Sequence, residues 1–186
     1  TRKALLERLG REPHEYFYQF VDAIIEREVN EKWIDRSGQL AKPLISTKDH
    51  HVLLSMIAQE LWLANSDALS GDALDIVADM FSEIQRMTPT QARQIKERIK
   101  QHALLTSASA NMASFAFDHE EFKNFFLGQA IGRCLLEGSD LDLRSVLRAG
   151  ALPPQVFDSA VQSLRSANAS IAKTIDSLQK LGQGDI

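Results

Sequence analysis

Apolar residues along the chain recur mainly at intervals of three and four, which is typical of one buried face of an α-helix. A first helix is predicted from Pro13 to about Trp33, since proline suits a first helical turn. Its expected buried stripe is formed by Phe17, Phe20, Val21, Ile24 and Ile25. Its opposite face is acidic and is expected to meet solvent through Asp22, Glu26 and Glu28. A loop should follow over residues 35–43.

The next three helices carry explicit start signals. Ser46 to Asp49 has the spacing of a capping box, in which two side chains satisfy free N–H groups of the first turn. Ser70 is a good N-cap for the following helix. Thr88 then offers an N-cap, with a proline first and Gln91 third in the helix. The first two helices should bury Leu54, Ile57, Ala58, Leu61 and Trp62, and then Leu74, Val77, Ala78 and Phe81.

The helical period is lost between His102 and Phe117 and then returns. Small polar residues separate two short apolar runs, which predicts a β-hairpin at about residues 104–117. Phe115 and Phe117 should share one face of its second strand. Asp118 is predicted to cap a new helix, with Glu121 at its third position, that ends near Gly138.

Helices continue after this point, over residues 141–149, from Pro153 onward, and near residues 171–181. The predicted fold is mainly α, a helical bundle with a winged-helix unit that carries a small β-hairpin. Three regions are expected: a helical linker segment over residues 1–45, a winged-helix-like domain over 46–137 and a C-terminal helical extension over 138–186. Gly128 and Gly132 predict tight packing of a following helix, and Trp33 and Trp62 are expected at the core or its edge.

Composition narrows the class of protein. With 186 residues and 44% hydrophobic content, the chain can bury a sizeable core. A net charge of -4 argues against a phosphate-binding surface over the whole chain. The single cysteine allows neither a disulfide framework nor a cysteine metal site within one chain, which favours a cytoplasmic protein. No apolar run approaches the roughly 20 residues of a membrane span.

The chain begins at Thr1 and shows no signal peptide. It is therefore expected to be a piece of a longer protein.

One segment carries a family resemblance. Phe115 to Ala130, FAFDHEEFKNFFLGQA, resembles the signature aromatic-x-aromatic-x-His-x-x-Phe-x-x-(Phe/Tyr)-(Phe/Leu)-x-(Ala/Gly) that follows the nucleotide-binding core of NACHT-type STAND NTPases. Upstream, FVDAIIEREVNE from Phe20 and HHVLLSMIAQELW from His50 are similar to the helices before that signature. AGALPPQV from Ala149 looks like the Leu-Pro that often follows it. The resemblance spans about residues 17–156.

The resemblance implies a regulatory role. In that family the winged-helix part closes over nucleotide bound by a P-loop core, and its histidine approaches the diphosphate. Exchange of ADP for ATP then moves the domain and permits oligomerisation. His119 would be that histidine, the parent protein would use ATP or ADP with Mg, and the partners would be a P-loop ATPase core and further copies. The family suggests a signalling protein of bacterial defence or stress sensing.

Catalysis within this chain is not expected. The P-loop pattern G-x-x-x-x-G-K-[ST] does not occur in it. The carboxylates at Asp118 and Glu121 are explained by a helix cap, so acid/base chemistry is not needed to account for them. The five histidines lack the spacing of a helical metal site, so metal binding is not expected.

His119 itself has two interpretations. As the first residue of a helix it would lie where free N–H groups and the helix dipole favour an anion such as phosphate. Glu120 and Glu121 would repel that anion, so contact by one residue is expected, not a full phosphate cradle. Alternatively, His119 is an ordinary first-turn residue beside a phenylalanine core.

A DNA-binding module is the competing interpretation. Arg93, Lys96 and Lys100 form one basic stripe on the fourth helix, with Arg98 nearby. In a winged helix, the helix before the hairpin enters the major groove. These cations would otherwise solvate a surface helix or pair with an acidic neighbour domain. A structural protein-interaction domain is the third possibility.

Overall fold

A computed structural model of the protein describes residues 13–36, 41–108 and 113–170, together with Gln179. Seven α-helices lie in these ranges. They are α1 (Pro13–Arg27), α2 (Thr47–Leu63), α3 (Gly71–Ile84), α4 (Pro89–Ile99), α5 (Glu120–Glu137), α6 (Asp140–Ala149) and α7 (Pro154–Ser166). The mainly helical prediction is confirmed. None of the described helices is both long and apolar enough to cross a membrane.

Five short strands form two antiparallel sheets. β1 (Ile34–Asp35) pairs with β2 (Lys42–Pro43). β3 (Leu69–Ser70), β4 (Leu105–Ser107) and β5 (Ser114–Phe117) form a sheet in the order β3, β5, β4. The predicted hairpin is therefore confirmed. From α2 to β5 the order is helix, strand, two helices and hairpin, which is the order of a winged helix.

The hairpin turns its aromatic residues inward. Phe115 pairs with both Leu69 and Ser107, so β5 is the central strand of the sheet. Phe115 and Phe117 are both buried, as the alternation of strand side chains predicts. β3 was not predicted, because two residues are too short to show a period.

The predicted helix starts are confirmed. In α2, the Ser46 side chain accepts from the backbone N–H of Asp49, and the Asp49 carboxylate accepts from the backbone N–H of Ser46. Thr88 and Gln91 form the same reciprocal pair at α4. Ser70 accepts from the backbone N–H of Ala73 at the start of α3. These caps fix where α2, α3 and α4 begin.

The end of the first helix differs from the prediction. Residues Glu28–Lys32 form a π-helical turn, which holds more residues per turn than an α-helix and so rotates the following side chains away from the expected register. Glu28 lies on the helical face of the buried residues Val21 and Ile25, seven and three positions after them, and is 0% exposed where a solvent-facing residue was expected. It pairs with Lys32 at 2.7 Å. Asp22 is half-buried and pairs with His51, whereas Glu26 is exposed as expected. Phe20, expected in the buried stripe, is 55% exposed.

α5 and α7 pack with their backbones in close approach. A Cβ atom built on Gly128 would lie 2.4 Å from the Val156 carbonyl oxygen. On Gly132 it would lie 2.7 Å from Ser163 Cβ. The Ser159 hydroxyl donates to the Phe125 carbonyl at 2.6 Å in the same interface. The predicted close packing of a following helix on the two glycines is thus confirmed.

Two histidines lie in the core beside Trp33. His50 and His102 are both buried, with His50 Nδ1 3.3 Å from His102 Nε2. The Trp33 ring centroid lies 4.5 Å from that of His50 and 5.8 Å from that of His102. The pair connects α2 to the segment between α4 and β4.

Part of the predicted structure lies outside the described residues. Of the last predicted helix, near residues 171–181, only Gln179 is described, and it is helical.

Candidate functional site

His119 lies at the N-terminus of α5, one position earlier than predicted. It is the N-cap residue, with extended backbone angles (φ -136°, ψ 149°), and Glu120 is the first helical residue. The predicted cap by Asp118 is wrong, because the Asp118 N–H donates to the Leu104 carbonyl at 3.1 Å and so keeps Asp118 in the hairpin. The His119 side chain makes no capping hydrogen bond, and Glu120 and Glu121 of the first turn are exposed.

The charges around His119 are mostly negative. The His119 side chain is 67% exposed, and its Nε2 lies 3.4 Å from a carboxylate oxygen of Asp118. Glu120 and Glu121 are exposed in the first turn. These carboxylates oppose a complete phosphate cradle at the start of α5.

Lys123 provides a cation one turn into α5. Its Nζ lies 2.8 Å from Asp67, whose carboxylate is almost fully exposed. The hydrogen bond and charge of Lys123 lower the pKa of Asp67. Asp67 is solvated in this pair and Lys123 is 20% exposed. A pair at the surface contributes little to stability, so an incoming anion could compete for Lys123.

An aromatic edge adjoins His119. The Phe122 ring lies 5.8 Å from the His119 ring and 6.4 Å from the Phe20 ring, measured between centroids. Phe17 stacks on Phe122 from the same helix as Phe20, at 5.6 Å. Sequence reasoning missed Phe20 as a surface residue near His119, because Phe20 satisfies the same helical period as its buried neighbours. Only the packing of α1 against α5 distinguishes them.

The basic stripe on α4 faces acidic partners. Lys96 pairs with Asp79, and Lys100 pairs with Asp75 at 2.8 Å, both on α3. Such pairing is one of the two alternatives to a nucleic-acid surface. Arg93 is exposed and lines a cleft beside α4. The structure therefore separates the four candidate residues: two are paired with α3, and Arg93 and Arg98 border the cleft.

That cleft lies between α4 and the end of α1 and has a volume of about 680 Å³. Arg98 donates to the Lys32 carbonyl at 2.6 Å and to the Gln94 side chain at 3.4 Å. Burial, and secondarily the charge of Arg36, lower the pKa of Arg98. The cleft also contains three glutamates, Glu28, Glu31 and Glu97. Its charges are mixed, unlike the continuous positive surface that tracks a nucleic-acid backbone.

The described residues present neither a metal-ligand cluster nor a reactive cysteine. Within residues 13–36, 41–108 and 113–170, no three His, Cys, Asp or Glu side chains form a group that could hold a metal ion. Cys134 is buried, and burial raises the pKa of its thiol. A thiol in that state is a poor nucleophile.

Comparisons with protein families, with curated proteins and with solved structures found no match to this chain.

Proposed function

We propose that this chain is a non-catalytic regulatory module of a STAND, NACHT-like signalling NTPase. In this role the N-terminus of α5 closes over ATP or ADP held by a separate P-loop core and relays the state of that nucleotide. The observation that carries the proposal is the exposed His119 at a helix N-terminus without a side-chain cap. Helix N-termini favour phosphate through free N–H groups and the helix dipole. A cytoplasmic defence protein that oligomerises on activation is the setting that the resemblance suggests.

The packing of α5 supports a relay. Behind the exposed His119, the helix buries Phe122, Phe125 and Phe126. It packs on α2 at one side and on α7 at the other. A displacement of His119 would therefore move α5 as a rigid unit, whereas a flexible loop would deform locally. Packed elements respond to a small displacement by moving as units.

The charge pattern limits what the site can do. Asp118, Glu120 and Glu121 would repel a phosphate group that no cation neutralises. Mg²⁺ and most phosphate contacts would therefore belong to the P-loop core, and His119 would add one further contact. We propose the role of a nucleotide-dependent lid because a lid requires only such a contact.

The test is ADP retention in the full-length parent protein. His119→Ala should lower ADP retention after gel filtration several-fold, because one phosphate contact is lost, while the melting temperature without nucleotide should not change. Gln155→Ala is the matched control, since Gln155 is an exposed first-turn residue of α7. Unchanged nucleotide occupancy in His119→Ala would leave His119 with a structural role only.

The DNA-binding alternative has a separate test. Two of its four cations are already paired with α3, so we expect at most weak retention of this chain on duplex DNA at 0.15 M salt. Salt-dependent retention that is lost in Lys96→Glu and kept in Lys48→Glu, a substitution outside α4, would instead favour DNA binding. The two measurements separate the alternatives because one reports nucleotide and the other reports duplex DNA.

A further inference from the structure

The cleft between α4 and the end of α1 gathers charged side chains of both signs. Arg36, Arg93 and Arg98 line it, and none of the three forms an ion pair within the ranges that the structure describes. Glu31 and Glu97 line the same cleft, are exposed and have no ion-pair partner among the described residues either. A ligand that carries charges of both signs would pair with both sets.

Arg98 is held in position by uncharged oxygen atoms. Its Nη1 donates to the Lys32 carbonyl at 2.6 Å, and its Nη2 donates to the Gln94 side-chain oxygen at 3.4 Å. Gln94 is anchored in turn, since its amide nitrogen donates to the buried Asp35 carboxylate at 3.2 Å. Because a guanidinium has about five N–H donors, these two bonds leave others for a ligand. A donor group that is already fixed loses little freedom on binding.

The positive charge of Arg98 is incompletely balanced. Burial and then the charge of Arg36 lower the pKa of Arg98, while Glu97 and Asp35 oppose that shift from beyond ion-pair distance. A carboxylate near both arginines would favour the charged form of each. Arg36 and Arg98 therefore mark the part of the cleft that is best suited to an anionic group.

The size and charge of the cleft define a class of ligand. Its volume of about 680 Å³ lies within the roughly 300–1,000 Å³ typical of small-molecule sites, so a single ion would fill little of it. Lys32 and Glu28, which also line the cleft, neutralise each other at 2.7 Å. The three unpaired arginines and two unpaired glutamates then favour a ligand with one more negative than positive charge.

Two kinds of ligand can be compared with this pattern. A nucleic-acid backbone has no positive group and would be repelled by Glu31 and Glu97. A dipeptide with a free N-terminus and one acidic side chain carries one ammonium group and two carboxylates, which matches the charges of the cleft.

We propose that this cleft binds a short acidic peptide with a free N-terminus. The peptide carboxylates contact the three arginines, and the ammonium group contacts Glu31 and Glu97. The inference is independent of the nucleotide-dependent role proposed above, because His119 does not line the cleft.

The experiment titrates dipeptides into the complete chain and follows the backbone amide signals of α4 by NMR. The dipeptide Ala-Glu should shift these signals in a saturable way. Ala-Gln, which lacks the side-chain carboxylate, and N-acetyl-Ala-Glu, which lacks the ammonium group, should each bind several-fold more weakly. Absence of saturable shifts with Ala-Glu would overturn the proposal. Inorganic phosphate that bound as tightly as Ala-Glu would also overturn it, since the cleft would then be a general anion site.

Matched variants test the individual charges. Arg93→Gln should weaken Ala-Glu binding several-fold, and Glu97→Gln should weaken binding of Ala-Glu but not of N-acetyl-Ala-Glu. Both residues are exposed, so neither substitution removes a core contact. Arg165→Gln makes the same charge change on an exposed position of α7, outside the cleft, and should keep the wild-type affinity. Equal Ala-Glu affinity in wild type and Arg93→Gln would contradict the proposal.

Discussion

Replacing Gly128 with alanine should lower the free energy of unfolding by about 3 kcal/mol, at the upper end of what overpacking a core costs. The added Cβ would lie 2.4 Å from the Val156 carbonyl oxygen and 2.5 Å from Ser159 Cβ. The first of these is a backbone atom, so no rotamer change relieves the contact. α7 must move as a whole and give up part of its packing on α5. Urea unfolding of the wild-type and variant chains measures the difference.

Gly71 and Gly132 provide comparisons for the expected effect of Gly128→Ala. On Gly71 a Cβ would meet Phe115 at 3.8 Å, an ordinary contact, so Gly71→Ala should be neutral or stabilising by up to about 1 kcal/mol. On Gly132 the nearest atoms, at 2.7 and 2.8 Å, belong to the side chain of Ser163. Ser163 Cβ is fixed by its own backbone, so Gly132→Ala should also destabilise the fold, and by less than Gly128→Ala because its contacts are longer. A Gly128→Ala midpoint equal to that of wild type would show that the helices are not in close contact in solution.

Local rules explain why so many helix boundaries were predictable. The reciprocal bonds at Ser46 and Thr88 involve residues three positions apart, so the sequence contains all of the necessary information. The effect of Gly128 and Gly132 was also predictable, because a helix face without side chains lets the backbone of a neighbouring helix approach closely. That neighbouring helix, α7, follows α6 along the chain.

Features that depend on distant contacts were not predictable. β3 has two residues and exists because β5 pairs with it. The π-helical turn over Glu28–Lys32 has no signal in the side-chain period. At α5, the sequence favoured Asp118 as the cap, but its N–H is already bonded to Leu104 in the hairpin. A long-range hydrogen bond thus overrode a sound local signal.

Some features of the candidate site were predictable from local sequence, and others depend on contacts between distant residues. That His119 lies at a helix N-terminus was predictable within one residue, since the change from strand to helix is visible in the sequence. The nearby Phe20 was not, because its exposure depends on how α1 crosses α5. Nor was it predictable which cations of α4 are paired. Asp75 and Asp79 lie four residues apart on α3, and only the packing of α3 on α4 brings them to Lys100 and Lys96.

The buried histidine pair has a determined proton arrangement. The Leu104 N–H donates to His102 Nδ1 at 3.1 Å, so the ring proton of His102 must be on Nε2. That proton points to His50 Nδ1 at 3.3 Å, which places the proton of His50 on its own Nε2. Each Nδ1 is therefore an occupied acceptor. Neither ring can take a second proton there without breaking a hydrogen bond, and both are neutral in the folded state.

Burial lowers the pKa of His50 to about 3, with a smaller contribution from the charge of His51, and Asp49 opposes the shift. Burial also lowers the pKa of His102 well below its ordinary value. An unfolded histidine binds its proton near pH 6.5. Between pH 6.5 and 3 the unfolded chain therefore binds more protons than the folded chain. The stability from the neutral pair is complete above pH 6.5 and is lost progressively as the pH falls toward 3.

Acidification from pH 7 to pH 4 should therefore lower the free energy of unfolding by on the order of 3 kcal/mol through His50 alone. Urea unfolding at both pH values measures the loss. His50→Asn keeps an acceptor for His102 but removes one titrating ring, so its loss between the two pH values should be smaller than that of wild type. His119→Asn removes a histidine from the surface and should keep the wild-type loss. If His50→Asn and wild type lost equal stability, protonation of His50 would not be coupled to unfolding, and the neutral pair would not be what makes the core sensitive to acid.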